Sequence, residues 1–376
     1  MAQRNQMIDI TKGFGIICVV LGHNWTLVQG RGELFHIIFS FHMPLFFFLS
    51  GVFLRDTDCL KQIIISRFHS LLKPYLVVLV FLSAHFFSEL LMEWKIPLGM
   101  FSHFYGVIYG TGHTIAWPPM WFLPHLFLAN ILVSRIIKVL EKEIWQLLYA
   151  CLSLSVGVCC LGHFWEGPFL FGLLHSQNHA DLFWSADLLP ITTAFILLGH
   201  VFRDAITSLR FHKGWFVLAI AVFGFFHFFF NETIDLNRRE YGQFWISTGQ
   251  ALLGIYLCLS LACLCERLFF PRILFLYLGK RALFILMFHY ILQRKVLEAT
   301  NGLTGYHQAY GIFALVLGIG VPCLLWDVAK LNETLASILL PKKHVYSNIQ
   351  DTSEELATMY TPHTQRTSDE NLFLAP

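Results

Sequence analysis

Lys12 and His23 are the pair of residues whose spacing first suggests chemistry. At 100° and 1.5 Å per helical residue, eleven steps make three turns plus about 20° and about 16 Å of rise, so both side chains leave one helix face. Asp9 falls within about 40° of His23 on that face. An imidazole removed from water favours its neutral form and can take a proton from an attacking hydroxyl. It can also act as a nucleophile. The plainer reading of His23 is a hydrogen bond that holds a bundle together, and of Lys12 an anchor whose amine reaches the membrane surface. Gly15, Cys18 and Gly22 form an adjacent small-residue stripe on which another helix can pack closely.

His42 stands two residues before Pro44 in the run Phe39 to Gly51. A proline kink there can open a cavity beside the imidazole, or be structural only. Arg67 and Lys73 precede the next apolar run. Trp121 lies in Trp117–Pro124, where an interfacial aromatic belt is the alternative to a binding role. Lys280 and Arg281 enter a late apolar run that ends near His289. His175 and His179 have i,i+4 spacing, but no third ligand accompanies them, so no metal centre is expected. The phosphate loop, the dinucleotide glycine fingerprint and the Gly-x-Ser-x-Gly elbow are absent, which disfavours ATP-driven transport and an α/β-hydrolase.

The elements that must position these residues follow from composition. Of 376 residues, 56% are hydrophobic and only 13% charged, with 38 Phe. So few charges cannot solvate a protein surface, so the apolar excess implies lipid as solvent. A soluble enzyme, a disordered chain and a nucleic-acid binder are excluded; a net charge of +2 offers no field for a polyanion. Eight of the nine cysteines lie in apolar runs and are expected to act as small buried side chains, with Cys59 in a polar segment and no CxxC pair.

Ten apolar stretches, near 13–28, 34–54, 71–92, 120–140, 144–163, 186–203, 214–230, 246–265, 273–292 and 309–329, approach the roughly 20 residues needed to cross a bilayer. Continuous runs rather than alternation choose helices over a barrel. The expected fold is all-α, a polytopic integral membrane bundle of about ten helices. Asp9 and Lys12 abut the first stretch and no small-residue cleavage site follows, so it is expected to stay as a span. With a cytoplasmic N-terminus, the inner segments hold eighteen Lys and Arg and the outer ones six, which predicts both termini inside. Residues 1–335 are expected to form the membrane domain, and 336–376 a polar, flexible cytoplasmic tail. Two long outer loops, 93–119 and 164–185, are candidates for function.

Four motifs carry a resemblance. Lys12, ten residues, then His23; Phe41-His42-Met43-Pro44-Leu45-Phe46-Phe47-Phe48-Leu49-Ser50-Gly51; Trp121-Phe122-Leu123; and Leu278-Gly279-Lys280-Arg281 followed by His289. In this order, across residues 4–330, they resemble the acyltransferase-3 family of membrane O-acyltransferases, most closely its fucose-4-O-acetylase-like branch. The family's basic-x-x-basic element before the third helix is only half present, as Arg67 with Ser70 in the second place.

The resemblance implies transfer of an acetyl group from cytoplasmic acetyl-CoA to a hydroxyl of a cell-surface sugar: O-antigen, capsule or a lipid-linked precursor. It implies a bacterial inner-membrane protein surrounded by membrane lipid, with no tightly bound cofactor and no nucleic-acid partner. His23 is the expected catalytic residue, with His42 next. Asp9, Lys12, Arg67, Trp121 and Lys280 are the expected donor or substrate contacts, Lys12 and Arg67 meeting the CoA phosphates. The alternative is a transporter or flippase without chemistry, in which His23, His42 and Lys280 line a translocation path.

Overall fold

The structure, a computed structural model, describes residues 5–54, 59–83, 100–161, 181–300 and 307–340. It is a helical bundle whose one sheet among the described residues is a two-stranded ribbon, Ile234–Asp235 paired antiparallel with Glu240–Tyr241. Among the described residues eight helical segments are long and apolar enough to cross a membrane, and a bent pair would make a ninth. The first helix, α1 (Gln6–Gly22), is 17 residues long and lies at the short end of the range for a span.

α1 starts earlier than hydropathy suggests. The Asn5 side chain caps it by accepting from the Ile8 N–H, which satisfies one of the orphan amides of a first turn. Asp9 and Lys12 therefore lie within the helix rather than beside it. His23 is its C-terminal cap rather than a residue deep in the span. The second stretch is likewise two helices, α2 (Glu33–Phe39) and α3 (His42–Val52), separated at Ser40 and Phe41. Pro44 is the third residue of α3, where its missing N–H costs no helical bond. The break thus precedes the proline, and His42 opens a new helix instead of flanking a kink.

The third span also begins earlier. α4 (Leu60–Arg67) runs through a π-helical turn at Phe68–Leu72 into α5 (Lys73–Leu82). Arg67 and Lys73 are inside this path, not ahead of it, and the Lys73 amine donates to the Ser337 and Leu340 carbonyls at 2.8 Å each. Part of the loop expected at 93–119 is helical, α6 (Met100–Tyr109). After it come α7 (Phe122–Val139), α8 (Glu143–Cys160), α9 (Leu189–Val201), α10 (Arg203–Thr207), α11 (Lys213–Phe230) and α12 (Phe244–Cys265). The ninth stretch is α13 (Phe269–Lys280) and α14 (Ala282–Thr300), bent by 78° at Arg281. α15 (His307–Leu331) and the short α16 (Glu333–Leu339) follow. His175, His179 and the chain beyond Leu340, which includes most of the expected tail, lie outside the described residues.

Glycines set the closest helix contacts. A Cβ on Gly51 would strike the Ile196 carbonyl and one on Gly199 the Phe48 carbonyl, so α3 and α9 meet backbone to backbone. α1 and α13 meet in the same way, Gly13 against Phe275 and Gly279 against Asp9. The expected stripe packs differently: Gly15 faces the side chains of Leu45 and Phe46, and Gly22 those of Ile38 and Phe39. Phe228, Phe229, Leu152 and Val156 are exposed on the outer faces of α8 and α11, as residues in contact with lipid are. The nine cysteines are free thiols. Cys258, Cys263, Cys265 and Cys323 are buried, whereas Cys151 and Cys159 are exposed on α8, contrary to the expectation of burial.

Candidate active site

Three imidazoles converge where α1 ends. The His23 ring lies 5.4 Å from the His289 ring of α14 and 6.4 Å from the Phe39 ring of α2. Phe39 in turn stands edge-on to His42 at 4.6 Å. His42 and His289 are held alike. The Nδ1 of His42 donates to the Ile38 carbonyl at 2.9 Å, bridging the break between α2 and α3. The Nδ1 of His289 donates to the Ile285 and Leu286 carbonyls at 2.9 Å. A carbonyl can only accept, so each Nδ1 carries a proton and each Nε2 of the neutral ring is left as an acceptor.

The backbone at His23 is held from two sides. Gln293, one turn beyond His289, donates to the Val20 carbonyl at 2.9 Å, satisfying an end-of-helix acceptor. Asn24 is fully buried and donates to the Gly311 carbonyl at 2.8 Å, tying the exit of α1 to α15. His23 itself is half-buried. It forms part of the lining of a cleft of about 370 Å³ together with Trp25, Tyr290, Gln293, Arg294, Glu298 and Tyr310. Arg294 is paired with Glu298 at 2.6 Å. The site joins a titratable ring, aromatic faces and hydrogen-bonding groups in one concavity, the usual composition of a small-ligand site.

The other end of α1 gathers charge. Lys12 Nζ is 3.4 Å from the buried Asp9 carboxylate and 4.1 Å over the Phe53 ring. The close approach of Gly279 to Asp9 puts Lys280, the last residue of α13, at the same end. The break behind Lys280 is pinned by Arg281, which pairs with Asp327, donates to the Tyr277 carbonyl and lies 3.5 Å over the Tyr277 ring. Tyr277 donates to Asp327 at 2.8 Å.

The structure thus brings His23 and His42 together at one end of α1, and Asp9, Lys12 and Lys280 at the other. Arg67 is half-buried where α4 and the π turn pack against α7. Trp121 is buried in a short 3-10 turn, its ring 5.5 Å from His125, and it does not line the cleft; it is no interfacial belt residue. Sequence reading gave His289 no role and passed over Gln293 and Tyr290. The signal available was polar residues at i and i+4 inside an apolar run. Among the described residues no group of three His, Cys, Asp or Glu side chains has metal-holding geometry.

In the segments between helices, Arg239 donates to Asp187 at 2.8 and 3.1 Å and lies 3.5 Å from Asp181. His113 bonds Asp181 at 2.6 Å. Burial pushes the Asp181 carboxyl up, but the His113 hydrogen bond and the Arg239 charge outweigh it and hold it below its ordinary range.

Residues 5–327 match the acyltransferase domain that defines the acyltransferase-3 family. A polytopic helical bundle matched over most of its length belongs to that family, and the chain is a membrane acyltransferase. No curated protein and no solved structure matches it. Family membership sets aside a transporter without chemistry.

Proposed function

We propose that this acyltransferase moves an acetyl group from cytoplasmic acetyl-CoA to a hydroxyl of a cell-surface sugar, in an O-antigen, a capsule or a lipid-linked precursor, and that it belongs to the fucose-4-O-acetylase-like branch. The observation that carries the reading is the position of His23. Its ring forms part of the cleft wall, which His307, Tyr290 and Tyr310 also line, and it stands at the end of a helix whose opposite end collects basic side chains.

The chemistry follows from that axis. Lys12 and Lys280 at one end of α1, with Arg67 on the neighbouring wall, meet the phosphates of CoA through charge-assisted hydrogen bonds. Asp9 holds the Lys12 amine in place. About 16 Å of helix separates Lys12 from His23, a length that an extended pantetheine arm spans. At the far end a sugar ring stacks on the aromatic faces of Trp25, Tyr290 or Tyr310 while Gln293 and the Arg294–Glu298 pair hydrogen-bond its hydroxyls. His23 accepts the proton of the attacking hydroxyl as the new C–O bond forms. The C–S bond breaks and the departing thiolate takes that proton back from His23, so ester and free CoA thiol are the products. A covalent acetyl-His23 intermediate is the second route open to the same ring. The host membrane is a bacterial inner membrane, with both termini cytoplasmic.

Chemical analysis of the surface polysaccharide tests the reading. Cells that carry the chain are expected to show O-acetyl groups that are lost when the gene is removed and restored on its return. Unchanged O-acetylation, together with no thiol release from acetyl-CoA by the purified protein, would refute both donor and acceptor.

A further inference from the structure

The acetyl-transfer reading gives His23 the proton transfer but leaves its ring without an orienting partner. Neither ring nitrogen of His23 has a hydrogen-bond partner among the described residues. A general base works best when a second group fixes its tautomer and its direction.

His289 has the complementary deficiency. Its side chain is fully buried. Nδ1 is committed to the Ile285 and Leu286 carbonyls, while Nε2 has no hydrogen-bond partner among the described residues. An unsatisfied buried polar atom is costly, and native proteins keep few of them without a reason. Because Nδ1 must hold the proton, Nε2 is an acceptor and needs a donor. The nearest ring is His23, at 5.4 Å between centroids and 38° between planes. At that separation, rings that turn a nitrogen toward each other reach hydrogen-bond range, about 3 Å. Such contacts are often long before substrate binds.

We propose that His289 is a positioning residue for acyl transfer: its Nε2 accepts the N–H of His23 and turns the other nitrogen of that ring toward the acceptor hydroxyl in the cleft. The inference rests on the reading of His23 as the base. No proton passes to His289. As His23 takes the hydroxyl proton and becomes positive, the bond to His289 becomes charge-assisted and strengthens, so its contribution is largest in the transition state. His42 is a weaker candidate: its ring packs edge-on against Phe39 at 4.6 Å, and Phe39 in turn lies 6.4 Å from His23. The other titratable groups facing His23 are Tyr290, Arg294 and Glu298 of α14 and His307 and Tyr310 of α15.

The test compares two substitutions in the purified full-length protein. Acetyl-CoA thiol release is followed with methyl α-L-fucopyranoside as the acceptor probe. His289→Asn can keep the donor to Ile285 but has nothing at the Nε2 position. His289→Gln can place an acceptor there while giving up the Ile285 bond. His289→Asn is expected to lose about tenfold or more in kcat with little change in KM for acetyl-CoA. The acidic limb of its kcat/KM profile moves to lower pH, because the imidazolium of His23 has lost its partner. His289→Gln is expected to recover most of the rate and the profile. Normal kinetics in His289→Asn, or equal losses in both variants with unmoved pH profiles, would overturn the proposal. If His289→Asn does not accumulate, His289→Gln decides alone: near-normal rate and profile support the positioning role, and a tenfold loss contradicts it. His23→Ala in parallel separates the two readings. Full activity there refutes the base itself, whereas an inactive His23→Ala beside an unaffected His289→Asn refutes only the partner.

Discussion

At the scale of single residues, polar side chains that suggest chemistry could be picked out of the apolar runs, but the neighbours the fold gives them could not. Lys12, His23 and His42 announce themselves as polar groups in or beside apolar runs, and such groups are costly enough to need a reason. That His289 faces His23 could not be read, because the contact depends on how α14 crosses α1, and no local pattern encodes a crossing. Trp121 shows the converse: a residue type common at membrane surfaces is here buried against His125. Arg67 belongs to the same scale. If it meets the CoA phosphates, Arg67→Ala should raise KM for acetyl-CoA several-fold while kcat changes less. Steady-state kinetics with varied acetyl-CoA check this, and a fall in kcat with unchanged KM would place Arg67 in folding or chemistry instead.

At the scale of elements, hydropathy found the spans but misplaced their ends. The polar Asp9, Thr11 and Lys12 drew the expected start of the first span toward Gly13, whereas the helix begins at the Asn5 cap. The structure buries Asp9 and Thr11 inside the helix. The 78° break at Arg281 was hidden because no proline marks it; the side-chain cluster of Tyr277, Arg281 and Asp327 holds it instead. Gly279 permits the backbone contact that places Lys280 beside Asp9. Gly279→Ala forces a methyl group onto the Asp9 carbonyl, and overpacking of this kind costs about 1–3 kcal/mol. Thermal unfolding in detergent should show the loss, and a variant as stable as the parent would contradict the close approach. The clasp of His113, Asp181 and Arg239 gives a pH dependence. The folded Asp181 carboxyl is held below its ordinary range. Its contribution is therefore complete above the ordinary carboxylate pKa of about 4 and is lost as pH falls through the lowered value. Asp181→Asn should cost about 1–3 kcal/mol at pH 7 and lose less stability than the parent as pH falls below about 4. Parallel pH curves for the two proteins would refute the assignment.

At the scale of the whole molecule, composition alone dictated a helical membrane bundle, and the four motifs pointed to the family that residues 5–327 match. Both are legible in one sequence because lipid solvation constrains every span and the motifs are contiguous. Orientation is an expectation of the basic-residue bias, so a reporter fused after Pro376 should be active only in the cytoplasm; activity on the other side would mean an odd number of crossings. The account as a whole depends on one side chain, His23, where the proposed donor path meets the proposed acceptor cleft. The most direct measurement is therefore acetyl transfer by His23→Ala, made on purified protein shown to bind acetyl-CoA. General base catalysis supplies roughly 10²–10⁴-fold in rate, so the variant should lose at least about a hundredfold in kcat while donor binding persists. Near-normal transfer by His23→Ala would contradict the account, and would make the histidines of this cluster part of the packing rather than of the reaction.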